Sequence, residues 1–141
     1  MKKIIVVCTG NTCRSPMVEG IINDLIKKNN IPDTVVFSAG LAATDGEKIS
    51  KYAIDALAEI SIDISSYRSK SLIITDLYDA DIIYTMTIQH KNVILEAFDG
   101  EQLKSIEKKI VVMDIPDPFC LDLDKYRETR DMIIKFFKDN Y

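Results

Sequence analysis

The chain has 141 residues, which suits one domain over 1–141 with a single substantial core and is too short for two. Its formal net charge of -4 argues against general binding to nucleic acid, because an acidic surface repels a phosphate backbone. No run approaches membrane-spanning length, and the apolar run after Lys2 and Lys3 is too short for a secretory signal, so a cytoplasmic protein without a membrane partner is expected.

The β-branched run Ile4-Ile5-Val6-Val7 predicts a strand from Lys2 to Val7, buried on both faces. Ser15-Pro16 reads as an N-cap followed by a proline at the first helical position, opening a helix to about Asn29. Between them lies Cys8-Thr9-Gly10-Asn11-Thr12-Cys13-Arg14. A loop feeding a helix N-terminus has unpaired N–H groups and a positive dipole end, so it holds an anion between Cys8 and Arg14 without a metal or other cofactor. A thiol placed there beside an arginine is expected to ionise below its usual value of about 8.5 and to act as a nucleophile. Arg14 would grip two phosphoryl oxygens with its planar fork, and Ser15 would donate a hydroxyl to the thiolate. Gly10 would supply a backbone angle forbidden to a side chain, and Asn11 would tie the loop together through its amide.

Further along, Pro32 precedes a strand from Val35 to Ala39, and a helix is expected from about Ser50 to Glu59. A short helical piece, Leu72 to Tyr78, leads to a strand from Ile82 to Met86 and a helical pattern from Gln89 to Phe98. Lys109 to Met113 is a fourth strand, and a closing helix runs from Tyr126 to Lys138 with Ile133, Ile134, Phe136 and Phe137 on its apolar side. This alternation predicts an α/β fold: a three-layer open parallel sheet of four strands, helices on both faces, and the phosphate loop after the first strand. Such sheets bind ligands at the carboxyl ends of their strands, which places Ser38-Ala39-Gly40 and the segment from Asp114 to Leu123 on the same edge as Cys8. In the latter, Pro116 and Pro118 stiffen the backbone around Asp117, the candidate general acid and base, and Phe119 offers an apolar wall. The single histidine, His90, is too little for a metal site or a Ser-His-Asp triad and reads as a helix or rim residue. Cys120 reads as incidental.

The N-terminal Cys-x5-Arg-Ser-Pro loop, Ser38-Ala39-Gly40 and the Asp-Pro-aromatic near the C-terminus together resemble the low-molecular-weight protein tyrosine phosphatases over nearly the whole chain. The resemblance implies that Cys8 is the nucleophile, Arg14 the phosphate clamp, Asp117 the general acid, and that Asn11, Ser15 and Ser38 support the loop. It further implies phosphate binding by Thr9, Gly10, Asn11, Thr12, Cys13, Arg14 and Ser15, phosphorylated proteins as partners, and a reversible Cys8–Cys13 disulfide. The family loop commonly has leucine and isoleucine where this chain has Thr9 and Thr12. The form found here, with Met86-Thr87-Ile88-Gln89-His90-Lys91, resembles the protein-arginine phosphatase branch. Thr12 is then a candidate specificity residue, since threonine is smaller than isoleucine and carries an acceptor for guanidinium N–H groups, with Phe119 as a second. Tyr67 stands where the family usually has a loop-supporting histidine, so a rearranged support is expected. Arsenate reductases share this loop but relay oxidation through further cysteines, and this chain has none between Cys13 and Cys120.

Overall fold

The structure is a computed structural model that describes residues 1–140. β1 (Lys2–Cys8) is flanked by β2 (Thr34–Gly40) on one side and β3 (Ile82–Thr85) on the other, with β4 (Ile110–Val112) beyond β3. All pairings are parallel, in the order β2-β1-β3-β4. The apolar run of β1 alternates between two cores, as a period of two requires of a strand covered on both faces. Ile4 and Val6 enter the core formed with α1 (Arg14–Lys28), α2 (Lys51–Ala58) and α6 (Leu123–Asn140), represented by Met17, Leu57 and Ile133. Ile5 and Val7 enter the opposite core with α3 (Ile74–Asp79), α4 (Ile88–Leu95) and α5 (Gly100–Glu107), represented by Leu77, Ile94 and Ile106. Each of these fully buried side chains contributes about 1.5 to 3 kcal/mol, so β1 is firmly held just where the loop leaves it.

The expected sheet and layers are borne out, with local differences. α5 was not expected: Leu103 and Ile106 are its only apolar residues, and Gly100 at its start reads as a turn. α6 begins at Leu123, before the expected Tyr126, and Ile134 on that helix is exposed, whereas Ile133 and Phe137 are buried. α1 starts two residues early, with Cys13 at the N-cap and no side-chain cap bond. Ser15 therefore lies inside the first turn, and the expectation that it caps the helix is corrected.

The chain turns from β1 away to β2 on one side and to β3 on the other, so the carboxyl end of β1 is the switch point of the sheet. The loop Thr9–Cys13 occupies that point.

Candidate active site

The loop after β1 is pinned by backbone bonds from the segments beside it. Leu41 N donates to Cys8 O, Ala42 N to Thr9 O and Ser50 N to Thr12 O, each at 2.9 Å. Gly40 makes this approach possible: a Cβ there would stand 2.5 Å from Thr9 O and 3.0 Å from Asn11 N, both backbone atoms of the loop. Gly40→Ala is accordingly expected to lose about 2 kcal/mol of stability and to lower activity with it, as read by denaturant unfolding. An unchanged unfolding midpoint would show that the loop tolerates displacement.

The left-handed position of the loop is Asn11, with φ 57°, and not Gly10, which corrects the expected role of that glycine. Asn11 suits this conformation because its side chain bonds locally. Its Nδ2 donates to Ser15 Oγ at 2.7 Å and to Ser38 Oγ at 2.9 Å, and its Oδ1 accepts from Lys70 N at 2.9 Å. Ser38 Oγ in turn donates to Glu19 Oε1 at 2.6 Å. Burial pushes the Glu19 carboxyl up, and the Ser38 hydrogen bonds act against this. Glu19 was missed in the sequence, where it looks like one more charge on an amphipathic helix. Tyr67 does not join this network: its hydroxyl accepts from Asn23 Nδ2 at 3.2 Å. The rearranged support consists instead of the Lys70 N–H and the Glu19 carboxyl.

Cys8 Sγ lies 2.8 Å from Ser15 Oγ and 3.3 Å from Asn11 N. Since Ser15 Oγ already accepts from Asn11, its own hydrogen is free to point at the sulfur. Burial is the largest influence on Cys8 and pushes its thiol up. The hydroxyl and N–H of Ser15, the N–H of Asn11 and the Arg14 charge pull the other way by favouring the thiolate. The sequence-based expectation weighed only this second group, and burial sets an opposing influence beside it. Cys13 is also a free buried thiol, 3.3 Å from the hydroxyl of Tyr126, which itself lies 3.1 Å from Ser50 Oγ. Burial, with Cys13 next, pushes the Tyr126 hydroxyl up to about 12. Cys120 is free and exposed.

Arg14 is nearly buried, and its Nη1 donates to Ile115 O at 3.0 Å, so the segment after β4 sets its direction. From the same segment Asp117 places Oδ2 3.6 Å from Arg14 Nη2, while its Oδ1 accepts from Phe119 N at 3.0 Å. The carboxylate is thereby held at the mouth of a pocket of about 280 Å³ lined by the loop from Cys8 to Arg14, Ala42, Ala43, Thr44, Glu47, Asp117 and Phe119. The loop residues Cys8 to Arg14 together with Asp117 and Phe119 were expected at one site and are found together. Ser15 and Ser38 stand behind the loop. Ala42, Ala43, Thr44 and Glu47 were not expected, since the segment after β2 carries no motif of its own. His90, read as a rim residue, is buried with its ring against the loop.

A loop bearing a buried thiol, an arginine and a carboxylate on one edge of a parallel sheet invite comparison with known proteins. The chain is 36% identical over 132 residues to a protein-arginine-phosphatase of Bacillus subtilis, covering 91% of this chain and 87% of that one. It is 39% identical over 130 residues to the low molecular weight protein-tyrosine-phosphatase PtpB of Staphylococcus epidermidis, covering 90% and 88%. A solved structure of the YwlE arginine phosphatase, a cysteine-to-serine variant with a phosphorylated active-site serine, superposes with a TM-score of 0.85 at 31% identity, covering 96% of this chain and 91% of that one. The family model for low molecular weight phosphotyrosine protein phosphatases matches residues 3–139, and the chain belongs to that family.

Proposed function

We propose that this chain hydrolyses phosphoarginine side chains of proteins through a phosphocysteine intermediate. The observation that carries the reading is the convergence of Cys8, Arg14 and Asp117 on a single pocket of about 280 Å³. In the first step the Cys8 thiolate attacks phosphorus, the S–P bond forms as the P–N bond breaks, and Asp117 gives its proton to the departing guanidine nitrogen. In the second step Asp117, now a carboxylate, takes a proton from water as the water oxygen attacks phosphorus and Cys8 leaves as thiolate. Arg14 and the loop N–H groups hold the equatorial oxygens throughout. In the free protein Asp117 faces Arg14 at 3.6 Å. An entering phosphoryl dianion takes over that guanidinium and leaves Asp117 for proton transfer. No step calls for a metal or an organic cofactor.

The arginine side of the reading is supported by the pocket wall and by the likeness to protein-arginine-phosphatases. Thr12 is half-buried, and its hydroxyl lies 3.8 Å from the Cys13 sulfur, a weak contact that leaves lone pairs for a guanidinium. Ala42, Ala43 and Thr44 are small, Glu47 adds a carboxylate, and Phe119 is the one aromatic lining residue among the described residues, 62% exposed. Such a wall offers acceptors to a cation and little stacking surface to a phenyl ring. The test is kcat/KM on matched phosphoarginine and phosphotyrosine peptides with wild type and Thr12→Ile. Wild type is expected to prefer phosphoarginine, and Thr12→Ile to lose about ten- to a hundredfold on it while gaining on phosphotyrosine. A phosphotyrosine preference in both proteins would return the chain to tyrosine-phosphatase chemistry.

Cys13 extends the reading to redox protection. A peroxide would convert Cys8 to its sulfenic acid, and the Cys13 thiol would condense with it to a disulfide with release of water.

A further inference from the structure

Thr9 of the loop and the Thr87–His90 pair, far apart in the chain, touch each other in the fold. Thr87 is the N-cap of α4, and its Oγ1 accepts the His90 N–H at 3.3 Å. The same oxygen lies 3.1 Å from His90 Nδ1, while His90 Nε2 lies 2.9 Å from Thr9 Oγ1. The ring is thus fixed at both nitrogens, and His90 is only 7% exposed. Burial, then the nearby Arg14 charge, push its imidazole below the ordinary value, and Asp117 opposes them. A neutral ring has one donor and one acceptor, which a place between two hydroxyls can satisfy at both nitrogens.

The loop's other supports come from different sides. Ala42, Ser50 and the Asn11 network hold it from the β2 side, and the segment after β4 holds Arg14. Thr9, next to the nucleophile, has its carbonyl bound by Ala42 and its side chain bound by His90. His90 reaches the loop from the β3 side.

We propose that His90 is a positioning residue for phosphoryl transfer: through the Thr9 hydroxyl it clamps the start of the phosphate loop to α4. The inference rests on the reading of this loop as a phosphoryl site. Its consequence is that His90 acts only by way of Thr9, so the two side chains form one unit.

The experiment is a double-mutant cycle on kcat and KM for para-nitrophenyl phosphate and on inhibition by inorganic phosphate, with thermal midpoints measured alongside. His90→Ala and Thr9→Val are each expected to lower kcat/KM about tenfold, with parallel weakening of phosphate inhibition. The double variant should be no worse than either single one. His90→Gln, whose amide supplies a donor and an acceptor, should recover most of the loss. Additive losses, or a His90→Ala protein with a lower midpoint and unchanged kcat/KM, would overturn the proposal while leaving the phosphatase reading intact. A wild type without turnover of any phosphoryl substrate would overturn both.

Discussion

Cys8→Ser is expected to reduce kcat on a phosphorylated peptide by about 10,000-fold or more, the scale seen when a catalytic nucleophile is removed. The substitution exchanges sulfur for a smaller oxygen without removing the polar group, so Asn11 N and Ser15 Oγ keep an atom to meet. Arg14, held by Ile115 O, keeps its direction. The loop N–H groups and the arginine continue to hold the phosphoryl group, and inhibition by inorganic phosphate should change little. What is lost is the nucleophile, because a serine hydroxyl at neutral pH supplies almost no anion and His90, the histidine beside the loop, has its two ring nitrogens on Thr9 and Thr87 instead. The paired readout separates lost chemistry from a collapsed loop. Turnover near the wild-type level would remove Cys8 from the mechanism, and a matching loss of phosphate binding would make its role structural.

Asp117→Asn is expected to lower kcat by about 100- to 10,000-fold on substrates with a poor leaving group, the usual range for a general acid. The loss should shrink as the leaving group becomes more acidic, since an already stable anion needs no proton to depart. Para-nitrophenyl phosphate should therefore suffer less than a phosphopeptide. KM should not rise with it. Asp117 lies 3.6 Å from Arg14, and its charge competes with the phosphoryl dianion for the guanidinium. Removing that charge frees the arginine for substrate. A uniform loss over all leaving groups, or a raised KM with kcat intact, would assign Asp117 to holding Arg14 instead of moving a proton.

The parts of the site that were legible in the sequence are those whose geometry is local. A strand, a short loop and a helix start in one segment place Cys8 and Arg14 around the same helix N-terminus whatever the rest of the chain does. Local rules also had limits. Ser15-Pro16 has the form of a cap, yet the helix begins two residues earlier and the hydroxyl is taken by Cys8. Gly10 looked like the special backbone position, yet the left-handed residue is Asn11, whose amide is stabilised there by partners from β2 and from the segment around Lys70. The burial of Cys8, which pushes its thiol up against the pull of Ser15, Asn11 and Arg14, is invisible in a sequence.

By itself, the sequence determined which reactive groups exist and that one of them sits beside an arginine at the end of a doubly buried strand, because hydrophobic period and helix-start chemistry are properties of neighbouring residues. Only the tertiary structure decided who else meets them. The order β2-β1-β3-β4 brings Gly40 against the loop from one side and His90 from the other, and delivers Asp117 to Arg14. Glu19 acquires its place behind Ser38 in the same way, by packing of α1 against β2. These contacts join segments far apart in the chain, and their energy is realised only when the strands pair in that order and both cores close. No local pattern of charge or hydropathy encodes that arrangement.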